Sequence, residues 1–236
     1  VRKGEAQAVV SAGNTGALMA ISKLVLKTIQ KIHRPAIVSV MPHINGKYVM
    51  LDLGANTECS AINLAEFAMM GDILARCALG ISRPRVALLN IGAEEMKGKE
   101  EIHKAAQMIR NSHMNIDFIG YIEPHEIPND KADVIVADGF TGNIVLKLTE
   151  GMGKFIGGAV KEVLMHNLKT KLGALLIASE FGAFKKTLDY KETGGAPILG
   201  VTRPVIKAHG SSDARAFKNA IRQAKSCVER DVSGAI

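Results

Sequence analysis

The sequence predicts an α/β fold in which buried, mostly parallel strands are covered by helices, and two observations carry that prediction. First, an apolar strand-like run repeatedly breaks into glycine and small polar residues and is followed by a helix-like run. This happens at SAGNTG (11–16), at GAN (54–56) after 49–53, at IGAEEMKG (91–98) after 86–90, and at DGFTGN (138–143) after 134–137. Second, only 4% of the 236 residues are aromatic and tryptophan is absent, so the core must come from Ala, Val, Ile, Leu and Met. Aliphatic strands buried on both faces under helices suit that supply.

Taken in order, residues 1–7 read as the tail of a helix already under way, so the chain reads as N-terminally incomplete. A strand at 8–11 leads through SAGNTG into a helix over 17–32 that Pro35 stops, with Leu18, Ile21, Leu24, Val25 and Ile29 at helical spacing. A strand at 36–41 and a turn at 44–47 give a hairpin into 48–53, an antiparallel excursion from a pure βαβ series. Helix is predicted over 57–79 and 94–111, and strand over 86–91, 116–122 and 132–137. From 144 to 188 two amphipathic runs without a strand predict a projecting helical hairpin on an otherwise single domain spanning 1–236. The tail reads as loop at 194–200, then HGSS (209–212) opens a last helix to about 232.

Composition narrows the function classes. A formal net charge of +7 points to an anionic partner. Nucleic acid ranks last, because the Lys and Arg residues are scattered without interleaved aromatics. Three widely spaced cysteines, Cys59, Cys77 and Cys227, with no CxxC pair, argue against a disulfide framework or zinc site and for a reducing cytoplasm. No apolar run is long enough to span a bilayer.

The turns are the candidate sites, because backbone N–H groups and helix N-termini at strand ends favour anions, and several converging would bind a phosphate or an oxyanion. In SAGNTG, Asn14 and Thr15 can cap a helix or bind a phosphate oxygen, while Gly13 and Gly16 permit close approach beside Ser11. Asn56, Asp138, Gly139, Thr141 and Gly142 occupy the equivalent places in the other turns. Lys97 reads either as a solvated loop lysine or as a cation for phosphate, and Asn143 either as a helix cap or as an oxyanion donor. His209 is a structural histidine, a base or a phosphate ligand, and Ser211 and Ser212 are candidate caps. GMGKFIGG (151–158) has the wrong glycine spacing for a dinucleotide motif and reads as helix packing. Asp52 and Asp138 are weak metal candidates, with caps preferred.

Together VVSAGNTGALMA, DLGAN, LLNIG-EE--KG, VADGFTGNIVLK--EG and IKAHGSSDA, in this order, resemble the bacterial acyl-acyl carrier protein:phosphate acyltransferase family along the whole chain. The resemblance implies a three-layer α/β/α sandwich similar to isocitrate and isopropylmalate dehydrogenases, a homodimer, and transfer of an acyl chain from a carrier-protein thioester to inorganic phosphate without a cofactor or metal. It places the family's catalytic lysine and asparagine on Lys97 and Asn143. The family's opening DAMGGD-type strand has no counterpart here, and Ala93 is an extra residue in NIGAEE.

The resemblance also implies that the helical hairpin packs at the dimer interface and touches an anionic membrane with its tip, making the protein cytoplasmic and peripherally membrane-associated. Leu172, Leu175, Leu176, Phe181 and Phe184, with Lys169 and Lys171, are the expected membrane or partner residues. Phosphate is expected to attack the thioester directly, with no acyl-enzyme. The alternatives are a phosphate acetyl- or butyryltransferase using a coenzyme A thioester, and a non-catalytic membrane or carrier-protein scaffold.

Overall fold

The computed structural model describes residues 1–94, 96–182 and 194–236. Residues 1–7 form turns and bends rather than the expected helix tail. Strand β1 (Val9–Ser11) passes into α1 (Thr15–Leu26), which stops six residues before the predicted end. Lys27 takes a φ of 69°, a region that breaks a helix, and Ile29 donates its N–H to Gly200 O beside an isolated bridge between Thr28 and Val201 instead. The hairpin is as expected: β2 (Ala36–His43) pairs antiparallel with β3 (Gly46–Leu51).

Helix α2 (Ala61–Leu74) begins at a capping box on Ser60 and ends in a π turn over Ala75–Leu79. Strand β4 (Arg85–Leu89) is followed by α3 (Glu100–Arg110). That helix starts later than the predicted residue 94, because Gly98 sits at a φ of +102° and Lys99 is still extended. Strands β5 (Asp117–Ile122) and β6 (Val134–Val136) frame a short 3-10 segment. DGFTGN belongs to a helix rather than a loop, since α4 (Gly139–Leu164) begins at its glycine. After α5 (Leu168–Leu176), residues predicted as loop form β7 (Ala196–Leu199). Strand β8 (Val205–Lys207) precedes α6 (Ala214–Glu229), capped by Asp213 rather than by Ser211 or Ser212, and α7 (Val232–Ala235).

The eight strands form one sheet in the order β1-β8-β7-β2-β3-β6-β4-β5. Strands β3, β6, β4 and β5 are mutually parallel. Strand β2 is antiparallel to both neighbours, β7 is antiparallel to β8, and β1 is parallel to β8. Helices cover both faces, as predicted. One buried cluster joins Val38, Val49, Phe67, Ala106 and Ala220, under α2, α3 and α6. The other joins Ile37, Met41, Met50, Leu53 and Ile135, with Leu18 of α1 and Leu146 of α4 against it.

Strand polarity has a functional consequence. Counting directions across the ladders, β1 and β8 run opposite to β3, β4 and β6. The DLGAN, NIGAEE and DGFTGN turns therefore leave one end of the sheet's strands, and SAGNTG and HGSS leave the opposite end. The expectation that all the glycine turns meet at one place is corrected: they form two groups, because three strand reversals, at β8–β7, β7–β2 and β2–β3, separate them.

Candidate functional site

At the first group, Asp52 is the anchor. Its side chain is fully buried at the end of β3, and Oδ1 accepts from the Ile37 and Ala55 amides at 3.0 Å each. Oδ2 accepts from the Asn56 amide at 2.7 Å and from Asn56 Nδ2 at 2.9 Å. Burial pushes the carboxyl pKa up, and these donors pull back against it. Asn56 Nδ2 also donates to Pro35 O, so this amide braces the turn instead of facing a phosphate as expected.

The turn in turn seats α4. Gly139 donates its N–H to Asn56 O at 2.7 Å, and a Cβ there would lie 2.5 Å from that oxygen. At Gly142 a Cβ would lie 1.9 Å from Asp52 O, so only glycine allows the helix this close. Asp138 caps α4 by accepting from the Thr141 amide at 2.7 Å, and Lys99 Nζ pairs with its second oxygen at 2.8 Å. Burial alone would raise the Asp138 pKa, but Lys99 and the Thr141 amide outweigh it and hold the carboxyl below its ordinary value. Asp52 and Asp138 are thus structural anchors. Among the described residues no cluster of three or more His, Cys, Asp or Glu could hold a metal ion.

Asn143 follows on the next turn of α4. It is exposed, and a Cβ on Gly54 would sit 3.6 Å from its Cγ, so the amide lies directly over the DLGAN turn. Lys97 is held differently. Its Nζ pairs with Glu94 at 2.8 Å, both side chains more than half exposed, and that pairing raises the lysine pKa. The loop carrying it is clamped by Asn90, whose Nδ2 donates to Gly92 O at 3.1 Å and Lys97 O at 2.7 Å. Sequence reasoning passed over Asn90 and Lys99; their signal was a polar residue ending an apolar strand and a second lysine two places after the first.

At the second group, Ser11 Oγ accepts from the Gly13 amide, and Asn14 caps α1 through the Ala17 amide, with Gly16 beside the Asn14 side chain. Ala208 donates its N–H to Ser11 O, which ties this turn to the end of β8. His209 Nδ1 lies 2.7 Å from Ser211 Oγ and accepts from the Ser211 amide, a local loop role.

A cavity of about 1120 Å³ connects the two groups. Asn143 and Leu53 line it near one group, and Thr15, Lys207, His209 and Arg215 near the other. Lys97 is not among its lining residues. Its long wall is α4, whose inward positions read Leu146, Glu150, Gly153 and Gly157. The packing reading of GMGKFIGG is corrected here. Among the described residues, a Cβ on Gly151, Gly153, Gly157 or Gly158 would meet nothing within 4 Å, while the apolar stripe of Phe155 (68% exposed), Met152, Ile156 and Val163 faces outward.

On α5, Leu172, Leu175 and Leu176 are exposed, as are Lys169 and Lys171. Phe181, expected at the tip, is half-buried and lines the cavity, and Phe184 lies outside the described residues. Among the described residues no helix is long and apolar enough to cross a membrane.

The fatty acid synthesis protein family model matches residues 1–234. The chain belongs to the fatty acid synthesis protein family. Among its relatives, a phosphate acyltransferase of Thermoanaerobacterium thermosaccharolyticum is 50% identical over 232 residues, 98% of this chain and 69% of that protein. A phosphate acyltransferase of Geobacter sulfurreducens is 43% identical over 233 residues, 99% of this chain and 67% of that protein. The chain thus spans about two thirds of the length of the family relatives it matches. This family member is an acyltransferase. In solved structures the fold recurs in a phosphotransacetylase from Streptococcus pyogenes, with a TM-score of 0.62 at 20% identity, over 97% of this chain and 65% of that one. It recurs also in 4-hydroxythreonine-4-phosphate dehydrogenase from Klebsiella pneumoniae, with a TM-score of 0.53 at 15% identity, over 96% of this chain and 65% of that one. The dehydrogenase-like α/β sheet expected from the family is therefore the one observed.

Proposed function

We propose that this chain is the greater part of an enzyme that transfers a fatty acyl group from the thioester of acyl carrier protein to inorganic phosphate, giving an acyl phosphate and a free thiol for phospholipid synthesis. The observation that carries the reading is Asn143, an exposed amide over the DLGAN turn at the mouth of a cavity with cationic walls. A phosphate oxygen attacks the thioester carbonyl, the carbonyl π electrons move to oxygen, and collapse of the tetrahedral intermediate expels the thiolate, which takes up a proton. No acyl-enzyme is required, because phosphate is itself the nucleophile and binding supplies proximity. Asn143 Nδ2 donates to the oxyanion. Lys97 supplies positive charge to phosphate after releasing Glu94, its partner in the resting state.

Acyl carrier protein is the reading for the donor because it is acidic and the walls of α4 and α5 carry Lys154, Lys161, Lys169 and Lys171. Mass spectrometry of reactions with acyl carrier protein thioester and with coenzyme A thioester tests this. Acyl phosphate forming with the carrier thioester at least tenfold faster supports the reading, and a preference for coenzyme A overturns it.

The exposed apolar residues of α4 and α5 support two further parts of the reading: a homodimer contact on one face, and insertion of Leu172, Leu175 and Leu176 into an anionic membrane. The protein is then cytoplasmic and peripherally bound. A Leu175→Glu, Leu176→Glu protein is expected to lose flotation with anionic vesicles while keeping its oligomeric mass. Unchanged flotation would remove the insertion.

A further inference from the structure

The two side chains assigned to the reaction stand on different elements. Lys97 lies in the loop between β4 and α3, and Asn143 lies on α4. Among the described residues, α3 rests mainly on α2 and β5, whereas α4 rests on β3 and α5. Both side chains must nevertheless meet one thioester carbonyl and its phosphate, and a misplacement of about 1 Å can cost on the order of a hundredfold in rate.

One ion pair crosses between the two elements. The Lys99 carbonyl opens α3 by accepting from the Ile102 amide at 3.0 Å, while its Nζ reaches Oδ2 of Asp138, the cap of α4, at 2.8 Å. Lys97 is two residues upstream, and Asn90 Nδ2 holds its carbonyl at 2.7 Å. Between them Gly98 lies so close to Asn90 that a Cβ would sit 1.9 Å from Oδ1. The run 97–99 is thus fixed by Asn90 on one side and by Asp138 on the other.

The Asp138 side chain is only 11% exposed, and its Oδ1 is taken by the Thr141 amide at 2.7 Å, which leaves Oδ2 to Lys99. The other titratable groups gathered here are Asp52 at the end of β3, Glu58 and Cys59 before α2, and Arg34, whose Nη1 donates to Glu58 O. Burial alone would raise the Asp138 pKa, and the Lys99 ammonium with the Thr141 amide reverses that shift.

We propose that Lys99 is a positioning residue for acyl transfer: its ion pair with Asp138 registers the loop that carries Lys97 against the first turn of the helix that carries Asn143. The assignment rests on the acyl transfer proposed above. An exposed lysine in an ion pair ordinarily contributes little. Here the partner is a mostly buried helix cap, so the pair couples two catalytic elements. Without Lys99 the Asp138 carboxyl takes up a proton at higher pH, accepts less strongly from the Thr141 amide, and releases the 97–99 run from α4. The Lys99 ammonium is occupied by Asp138, so it acts through Lys97 and Asn143 and not on phosphate itself.

Lys99→Met keeps the stem and removes the charge. It is expected to lower kcat for acyl phosphate formation about tenfold, the contribution of one charge-assisted hydrogen bond, and to move the acid limb of the kcat profile toward higher pH. Lys99→Arg, which restores the cation, is expected to stay within about threefold of the unmodified protein. Asp138→Asn is expected to lower kcat by a similar factor to Lys99→Met, and the double variant no further, since both changes break the same pair. A Lys99→Met protein with unchanged kcat would overturn the proposal, as would losses that multiply in the double variant. A change confined to the KM for inorganic phosphate would overturn it too, by making Lys99 a second phosphate cation.

Amide hydrogen exchange gives a readout independent of turnover. Protection of the Thr141 N–H is expected to fall about tenfold in Lys99→Met at an unchanged melting temperature. Unchanged protection would overturn the coupling. Reduced protection in Lys99→Met, when the unmodified protein forms no acyl phosphate, would keep the coupling and sink the proposed reaction. Acyl phosphate formation by the unmodified protein, with reduced protection but unchanged kcat in Lys99→Met, would keep the reaction and remove Lys99 from it.

Discussion

Asn143→Ala is expected to lower kcat for acyl phosphate formation by about a hundredfold or more, with the fold intact. Removal of one oxyanion donor has an effect of that size, because the lost hydrogen bond strengthens as charge develops in the transition state. The fold should be indifferent, since Asn143 is exposed and the seating of α4 rests on Gly139, Gly142 and the Asp138 cap. The measurement is acyl phosphate trapped as hydroxamate, beside a thermal melt. Lys97→Ala is expected to act mainly through the KM for phosphate, because its side chain is solvent-exposed and ion-paired in the resting protein. Turnover within about threefold of the unmodified enzyme in Asn143→Ala would remove the amide from the mechanism.

Asp52→Ala is expected to destabilise the protein by about 3–5 kcal/mol, the largest stability effect we foresee. Its carboxylate satisfies three backbone amides and the Asn56 side chain at a site with no exposure. Alanine removes the acceptors and leaves those donors to compete for little else. In a domain of this size that corresponds to a melting temperature lower by roughly 10 °C. The residual folded protein should also lose activity, because the same turn holds Gly139 and Gly142 of α4 in place. A fall of less than about 1 kcal/mol would show that the turn is held by its backbone alone.

Much of the fold was legible in the sequence. Alternation of aliphatic strands with glycine turns identified β1 through β6, and Asn45-Gly46 marked the hairpin between β2 and β3. The errors fall where long-range pairing overrides local pattern. Ile29 continues the helical spacing of α1, yet its amide pairs with Gly200. The 196–199 segment is rich in loop residues, yet it pairs between β2 and β8. In the candidate site, the pattern placed Asn143 in a glycine turn, as a helix cap or an oxyanion donor, and not within α4, and it could not distinguish Asn56 as a brace or Asp213 as the cap of α6.

By itself the sequence determined the residue chemistry, the succession of elements and the family, because these depend on composition, short-range periodicity and motif order. Tertiary structure alone decided which turns share an end of the sheet, since strand direction comes from pairing between distant segments. It also decided which face of α4 turns inward. The apolar stripe of that helix points outward and the glycines line the cavity, an arrangement that follows from how Gly139 and Gly142 dock against the DLGAN turn.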